Sequence, residues 1–128
     1  MRPSVIILTG LLLVSKLVLA AEPKPEVIGP AEAAKKVDEK VVVEMLVKST
    51  GGRGNCYLNS QEDFQTAANF TVFIAKDVKP KFQKAGIENP AEYFKGKTIR
   101  VSGTVTLFEK KPRIAVTEPG QITVIKKI

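Results

Sequence analysis

Apolar and polar residues alternate along the second half of this chain in the period-two pattern of strands that bury one face. Residues 99–105 show the alternation most clearly, and residues 113–117 repeat it after a turn at residues 109–112. Gly103 stands in the middle of the first run, where a glycine is typical of a bulge or a sharp bend. The pattern predicts a long, strongly bent hairpin, which suggests a small closed barrel.

The first half of the chain contains further strands of the same kind. The pattern predicts them at residues 41–49, from residue 56 onward and at residues 70–75, with a last short strand or an extension of the fifth at residues 122–124. Asp77 and Asn89 are N-cap residues for a helical segment between the third strand and the hairpin. Residues 31–37 favour a short helix before the first strand.

The first 20 residues have the pattern of a secretory signal peptide. An apolar run at residues 5–14 follows a positive start, and small residues precede a cleavage point between Ala20 and Ala21. Lys16 interrupts the apolar stretch short of the roughly 20 residues that a spanning helix needs, so we expect a cleaved signal rather than an anchor, and no stable membrane span afterwards. The predicted organisation is a signal peptide at residues 1–20, a proline-rich linker at residues 21–29 and one domain at residues 30–128 of a secreted or periplasmic protein.

Composition limits the chemistry. The chain has 20 lysines and arginines against 13 acidic residues, a balance that favours polyanionic partners, although dispersed lysines also serve solubility. It has no histidine and one cysteine, Cys56, which excludes intrachain disulfides, His/Cys zinc sites and Ser/His or Cys/His catalytic pairs. We expect Cys56 to be a small core residue, with an intermolecular disulfide as the alternative. No catalysis, metal or cofactor is expected.

The order of the elements is that of an OB-fold, the five-stranded Greek-key barrel. From about residue 28 to residue 125, the chain resembles small secreted bacterial OB-fold domains of the nucleic-acid-binding (tRNA-anticodon-like) superfamily. The matching pieces are AAKKV (33–37), VVV (41–43), YLN (57–59), FTVFI (70–74), YFKGK (93–97), VSGTV (101–105) and PRI (112–114). Related sequences often have glycine where Asp38 and Met45 stand, a departure that bears on the bend of the first strand.

The fold class that follows is mainly β: a five-stranded Greek-key barrel with a helical segment between strands 3 and 4, preceded by a signal peptide. The resemblance implies a binding surface on the outer face of strands 2 and 3, flanked by the loops between strands 1 and 2 and between strands 4 and 5. Carried over by position, the face holds Tyr57, Asn59, Thr71 and Phe73, with Arg53 on one rim and Lys110, Lys111 and Arg113 on the other.

An aromatic platform between cations suits a single-stranded nucleic acid, because bases stack on aromatic faces while cations follow the phosphates. Structural roles are the alternative: Phe73 packed under the loop at residues 61–69, Tyr57 covering a seam of the barrel, and solvated lysines. The leading hypothesis is a non-enzymatic module that binds single-stranded nucleic acid or another polyanion with little sequence preference. Its rivals are a protein-interaction or structural module of the cell envelope and an oligosaccharide binder; only polyanion binding weakens steeply with salt.

Overall fold

The computed structural model describes residues 26–126, so the predicted signal peptide and most of the predicted linker lie outside the described residues. The described part is mainly β, as expected. Its elements are β1 (Val27–Ile28), α1 (Pro30–Ala33), β2 (Lys40–Leu46), β3 (Ser49–Gly51), β4 (Cys56–Asn59), β5 (Thr71–Ile74), α2 (Lys79–Lys84), α3 (Pro90–Phe94), β6 (Thr98–Phe108), β7 (Lys111–Val116) and β8 (Ile122–Val124), with a 3-10 turn at Pro119–Gln121.

Between residues 26 and 126, no helix is both long and apolar enough to cross a membrane.

The strands form one mixed sheet with the order β1-β2-β6-β7-β5-β4-β3, and β8 pairs with β6. The β1–β2 and β5–β7 pairs are parallel, and the others are antiparallel. β2 and β3 lie toward opposite ends of this order, although only Val47 and Lys48 separate them in the chain. The described residues therefore form eight strands in an open path of hydrogen-bonded pairs, so the predicted five-stranded closed barrel is not confirmed in strand number or in closure.

The predicted first strand is divided at this point. The Val47 N–H donates to the carbonyl of Lys97 at 2.9 Å, whereas the Lys48 N–H donates to the carbonyl of Asn59 at 2.9 Å. Because these adjacent residues bond to different segments of the chain, the single predicted strand is two strands in the structure, β2 and β3. The bend follows Met45, which is buried opposite Ile99, so glycine is not needed at that position.

The core lies where the alternating pattern places it. Val41, Val43 and Met45 of β2 are buried, and so are the inward-facing residues of the other long strands, among them Leu58, Val72, Ile74, Ile99, Val101 and Ile114. The helices add Phe82 and Phe94, whose rings meet edge to face with centroids 6.3 Å apart. The core is thus built from one face of the curved sheet and capped by two aromatic rings.

Several predicted boundaries shift. α1 ends at Ala33 rather than at residue 37, and α2 begins at Lys79, with Val78 rather than Asp77 as its N-cap. The predicted cap Asn89 is confirmed, since its side-chain oxygen accepts from two backbone N–H groups in the first turn of α3.

The β6–β7 turn is shorter than predicted, because Lys111 and Pro112 already belong to β7. Glu109 and Lys110 alone form the loop, with φ angles of 51° and 66°. Positive φ at both central residues is typical of the two-residue turn whose twist matches that of a hairpin. Lys110 therefore stands at the tip, while Lys111 is the first residue of a strand.

Gly103 stands where β6 changes partners. Residues up to Thr104 pair with β2, and Val105 pairs with Ile114 of β7. A Cβ atom at residue 103 would lie 2.6 Å from Cγ2 of Ile114, a side chain that is fully buried. The glycine therefore permits a close approach between β6 and β7 at the bend.

We predict that Gly103→Ala lowers the free energy of unfolding by about 1–3 kcal/mol, because the added methyl group would force the buried side chain of Ile114 to shift. Urea unfolding measures the change. Gly120→Ala is the matched control, since nothing lies within 4 Å of a Cβ atom placed there. Equal stability of the two variants would contradict the proposed close approach.

Cys56 is buried, which confirms its prediction as a core residue. Burial raises the pKa of the Cys56 thiol from 9.0 to about 11, and the nearby charge of Lys79 opposes part of the rise. The folded protein therefore keeps this thiol protonated at pH values where the unfolded chain begins to ionise it.

The raised pKa predicts a stability contribution that is complete below about pH 9 and is lost as the pH rises towards about 11. Cys56→Ala removes this contribution. We expect the stability advantage of the wild type over Cys56→Ala, measured by urea unfolding, to decrease between pH 8 and pH 11. A constant difference over that range would contradict the assignment.

Candidate functional site

A cleft of about 440 Å³ lies on the outer face of the sheet, bounded by the loop between β4 and β5 and by the β6–β7 hairpin. Strands β3, β4 and β7, the first residue of β5 and the end of β6 supply its walls. It is lined by Ser49, Thr50, Gly51, Gly52, Tyr57, Asn59, Glu62, Phe64, Thr71, Phe108, Glu109, Lys111, Pro112 and Arg113.

Strand register explains why distant residues meet here. Ser49 pairs with Asn59, Asn59 with Thr71, and Thr71 with Arg113. Residues that pair across neighbouring strands point to the same face, so these four side chains form one row across the sheet. The row begins on β3 and ends with a cation on β7.

An aromatic pair forms the adjacent row. Tyr57 pairs with Phe73, and their rings lie 5.3 Å apart between centroids, tilted by 45°. Cζ of Arg113 lies 4.1 Å from the ring centroid of Phe73 and 4.2 Å from that of Phe108. These distances are those of cation–π contacts, so one guanidinium joins the β5 ring to the ring at the end of β6.

Lys111 adds a second cation beside the loop between β4 and β5, with Nζ 5.8 Å from the ring centroid of Phe64. Within residues 26–126, the ion pairs are Lys81–Glu118 and Arg100–Glu44, both away from the cleft. Within the described residues, the cleft cations Lys111 and Arg113 therefore take part in no ion pair. Glu62 and Glu109 also line the cleft, so its charge is mixed rather than uniformly positive.

A hydrogen-bonded group of polar side chains holds the base of the loop against the sheet. Thr71 Oγ1 donates to Asn59 Oδ1 at 2.9 Å, and Asn69 Nδ2 donates to Thr71 Oγ1 at 2.9 Å and to Asn59 Oδ1 at 3.5 Å. Asn69 Oδ1 in turn accepts from the Gln61 N–H at 3.1 Å. The two ends of the loop are therefore joined directly to the cleft floor.

Asn59 is less accessible than its predicted place on the binding surface implies. The residue belongs to the outer face, as the alternation predicts, yet only 4% of it is exposed. Asn69 of the loop donates to the side chains of both Asn59 and Thr71. Asn59 is thus a buried polar residue at the floor of the cleft.

The structure brings most of the predicted site residues together. Phe73 lies beside the cleft in contact with Tyr57 and Arg113, whereas Arg53 and Lys110 are exposed next to lining residues without lining the cleft themselves. The predicted residues that line it are Tyr57, Asn59, Thr71, Lys111 and Arg113.

The glycine-rich connection before β4 is tightly built. Gly52 has a φ of 101°, and a Cβ atom there would lie 2.0 Å from the Asn55 carbonyl oxygen. Asn55 Oδ1 accepts from the Lys76 N–H at 2.9 Å, which ties the loop to the end of β5. Arg53 thus extends from a loop whose backbone is tied down, rather than from a freely flexible one.

Two exposed aromatic residues were absent from the predicted surface. Phe64 is 56% exposed and Phe108 is 50% exposed, and both line the cleft. The fourth predicted strand corresponds to β6. Extending its alternation past residue 105 would place Phe108 on the outer face with Thr104 and Thr106. Phe64 lies in an irregular loop, where no periodic pattern indicates its direction.

Among the described residues, no three His, Cys, Asp or Glu side chains come together in a way that could hold a metal ion.

No protein-family model matches the chain, and no curated protein matches its sequence. Solved structures do resemble it. OBody AM1L10 bound to hen egg-white lysozyme is 20% identical with a TM-score of 0.56, and the match covers 84% of this chain and 99% of that one. A putative aspartyl-tRNA synthetase from Leishmania major is 16% identical with a TM-score of 0.54, over 91% of this chain and 26% of that one.

Asparaginyl-tRNA synthetase from Pyrococcus horikoshii is 19% identical with a TM-score of 0.53, over 82% of this chain and 24% of that one. The chain thus spans about a quarter of the length of these synthetases. At these identities the likeness concerns the fold, and it shows that this chain has an OB-fold.

Proposed function

We propose that this protein is a non-enzymatic OB-fold module that binds single-stranded nucleic acid in the cleft, with little sequence preference. The observation that carries the proposal is the cluster of Arg113, Phe73 and Phe108, which joins a cation to aromatic rings on the outer face of the sheet. Single strands are bound by such combinations of stacking rings and cations.

The exposed rings supply stacking surfaces. Phe64 lies in the loop between β4 and β5 and Phe108 at the end of β6, and both are half-exposed or more, so each has ring surface accessible to a ligand. Stacking of a base on an aromatic ring contributes about 1–3 kcal/mol, and it tolerates any base. Stacking of this kind accounts for the weak sequence preference that we propose.

The cations supply attraction to phosphate. Lys111 and Arg113 line the cleft, while Arg53 and Lys110 stand next to lining residues. Their positions on two sides of the cleft suit a backbone that crosses the sheet. Because Glu62 and Glu109 offset part of this charge, we expect modest affinity that falls with rising salt.

The structural neighbours support the same ligand class. Two of the similar proteins are, by name, tRNA synthetases, so this fold occurs in proteins that act on nucleic acid. A secreted or periplasmic location, proposed from the pattern of residues 1–20, would make extracellular single strands or other anionic polymers the available ligands.

A protein partner is the second candidate. Phe64 is 56% exposed and Phe108 is 50% exposed, and both line the same cleft on the outer face of the sheet. Exposed apolar residues grouped in this way are typical of protein contacts. The OBody neighbour is itself bound to a protein, hen egg-white lysozyme.

Fluorescence anisotropy of a labelled oligothymidylate, titrated with the protein at several salt concentrations, separates the two candidates. We predict binding at low salt with a log–log slope of about 0.7 for each phosphate contact. Arg113→Gln should weaken binding about tenfold and reduce the slope, because it removes a cation in contact with the cleft.

Lys84→Gln is the matched control, since it removes an exposed lysine of α2 that does not line the cleft. It should leave affinity almost unchanged. Equal effects of the two substitutions would contradict the assignment of the cleft. Absence of any binding at low salt would reject the nucleic-acid proposal and leave the protein partner.

A further inference from the structure

We propose that Arg113 holds a backbone phosphate of the single strand with its N–H groups, and that Phe73 positions this guanidinium rather than stacking on a base. This inference rests on the proposed function and names the part of the nucleotide that one side chain contacts. Its basis is the way in which two aromatic rings enclose the guanidinium.

The two rings lie on opposite sides of Arg113. Strand β7 lies between β5 and β6 in the sheet. Phe73 of β5 pairs with Ala115, which follows Arg113 by two residues. Phe108 of β6 pairs with Lys111, which precedes Arg113 by two residues. The rings therefore approach from opposite neighbouring strands and from opposite directions along β7.

The guanidinium is enclosed between these rings. Cζ of Arg113 lies 4.1 Å from the ring centroid of Phe73 and 4.2 Å from that of Phe108. The group is planar and its edges carry N–H groups, which would hold at least one of two opposed rings farther away. Two opposed rings at nearly equal short distances therefore cover its two faces.

The N–H groups in the plane of the guanidinium remain for a ligand. Arg113 lines the cleft and is half-buried. Within residues 26–126, neither ion pair involves it, so no carboxylate of this part of the chain pairs with its donors. With its faces covered, the guanidinium cannot stack on a base, and it contacts a ligand by donating in its own plane.

A phosphate suits this edge better than a base does. Neighbouring N–H groups of a guanidinium match the free oxygens of a phosphodiester in a charge-assisted bidentate contact. Among the bases, guanine offers a matching pair of acceptors in its O6 and N7 atoms. A phosphate occurs at every nucleotide, so a phosphate contact agrees with the low sequence preference that we propose.

Phe73 has a neighbour on each side. Arg113 lies over its ring, and the ring of Tyr57 lies at a centroid distance of 5.3 Å. Tyr57 belongs to β4 and Arg113 to β7, the strands that flank β5. Phe73 therefore offers little ring surface to a base, and it contributes to binding by holding Arg113 in position. Stacking is left to the exposed rings of Phe64 and Phe108.

Arg113→Lys tests the phosphate contact, because it keeps the charge and removes the planar set of donors. In fluorescence anisotropy, we expect it to weaken the binding of oligothymidylate, oligoadenylate and oligocytidylate by the same factor, about fivefold or more. Full affinity of Arg113→Lys would show that only the charge matters, and unequal factors would assign the contact to a base. Either result would overturn the phosphate contact.

Arg100→Lys is the matched control, since it makes the same exchange at an exposed arginine that pairs with Glu44 away from the cleft. It should leave all three affinities unchanged. An equal loss in Arg100→Lys and Arg113→Lys would also overturn the assignment of Arg113.

Phe73→Leu, combined with Arg113→Gln, tests the positioning role. If Phe73 acts through Arg113, Phe73→Leu weakens oligothymidylate binding about threefold or more in the wild type and has no further effect in Arg113→Gln. A ring that stacks on a base would lose the same factor in both backgrounds. That additivity, or no effect in the wild type, would overturn the positioning role. Arg113→Lys needs no change at Phe73, so the phosphate contact is tested even if Phe73→Leu unfolds.

The failures of the two proposals are distinguishable. A contrary result in either experiment, with wild-type protein that binds oligothymidylate at low salt, would overturn the inference about Arg113 and Phe73 and leave the proposed function intact. Wild-type protein that binds none of the oligonucleotides at low salt would overturn both.

Discussion

The rest of the structure depends on two points where a strand exchanges one hydrogen-bonding neighbour for another. At Val47–Lys48 the chain leaves the side of β6 and joins β4, and at Gly103–Val105 strand β6 leaves β2 and joins β7. Because each change bends the sheet without ending its pairing, one continuous apolar face wraps around the core. The opposite face curves with it, and the outer rows of β4, β5 and β7 become the floor of a cleft.

At that floor, the residues that pack the sheet are also residues of the proposed binding site. Arg113 contacts two aromatic rings, and Asn59 is fixed by Thr71 and Asn69, so both polar groups are positioned before a ligand arrives. Preorganised groups lose less conformational entropy on binding. A small domain with few aromatic residues can therefore form a usable site, provided that the loop between β4 and β5 stays anchored at its base.

Alternation along the chain was sufficient to predict the core and the outer face, because a period of two determines which side of a sheet each residue occupies. It could not indicate that Val47 and Lys48 bond to different strands, since a change of partner leaves the alternation intact. The burial of Asn59 and the contribution of Phe64 also escaped prediction, because both depend on an irregular loop whose position is set by tertiary hydrogen bonds. Phe108, by contrast, is predictable, because the alternation of β6 continues to the end of that strand.

The central claim is that a single strand lies across the outer face of β4, β5 and β7. An NMR titration of the isotope-labelled protein with a short oligothymidylate tests it most directly, because each backbone amide reports its own surroundings. The account predicts that the largest shift changes occur at Tyr57, Thr71, Phe108 and Arg113, with little change along α2 or β8. Changes concentrated on α2 or along β1 and β2, with the cleft unaffected, would contradict it.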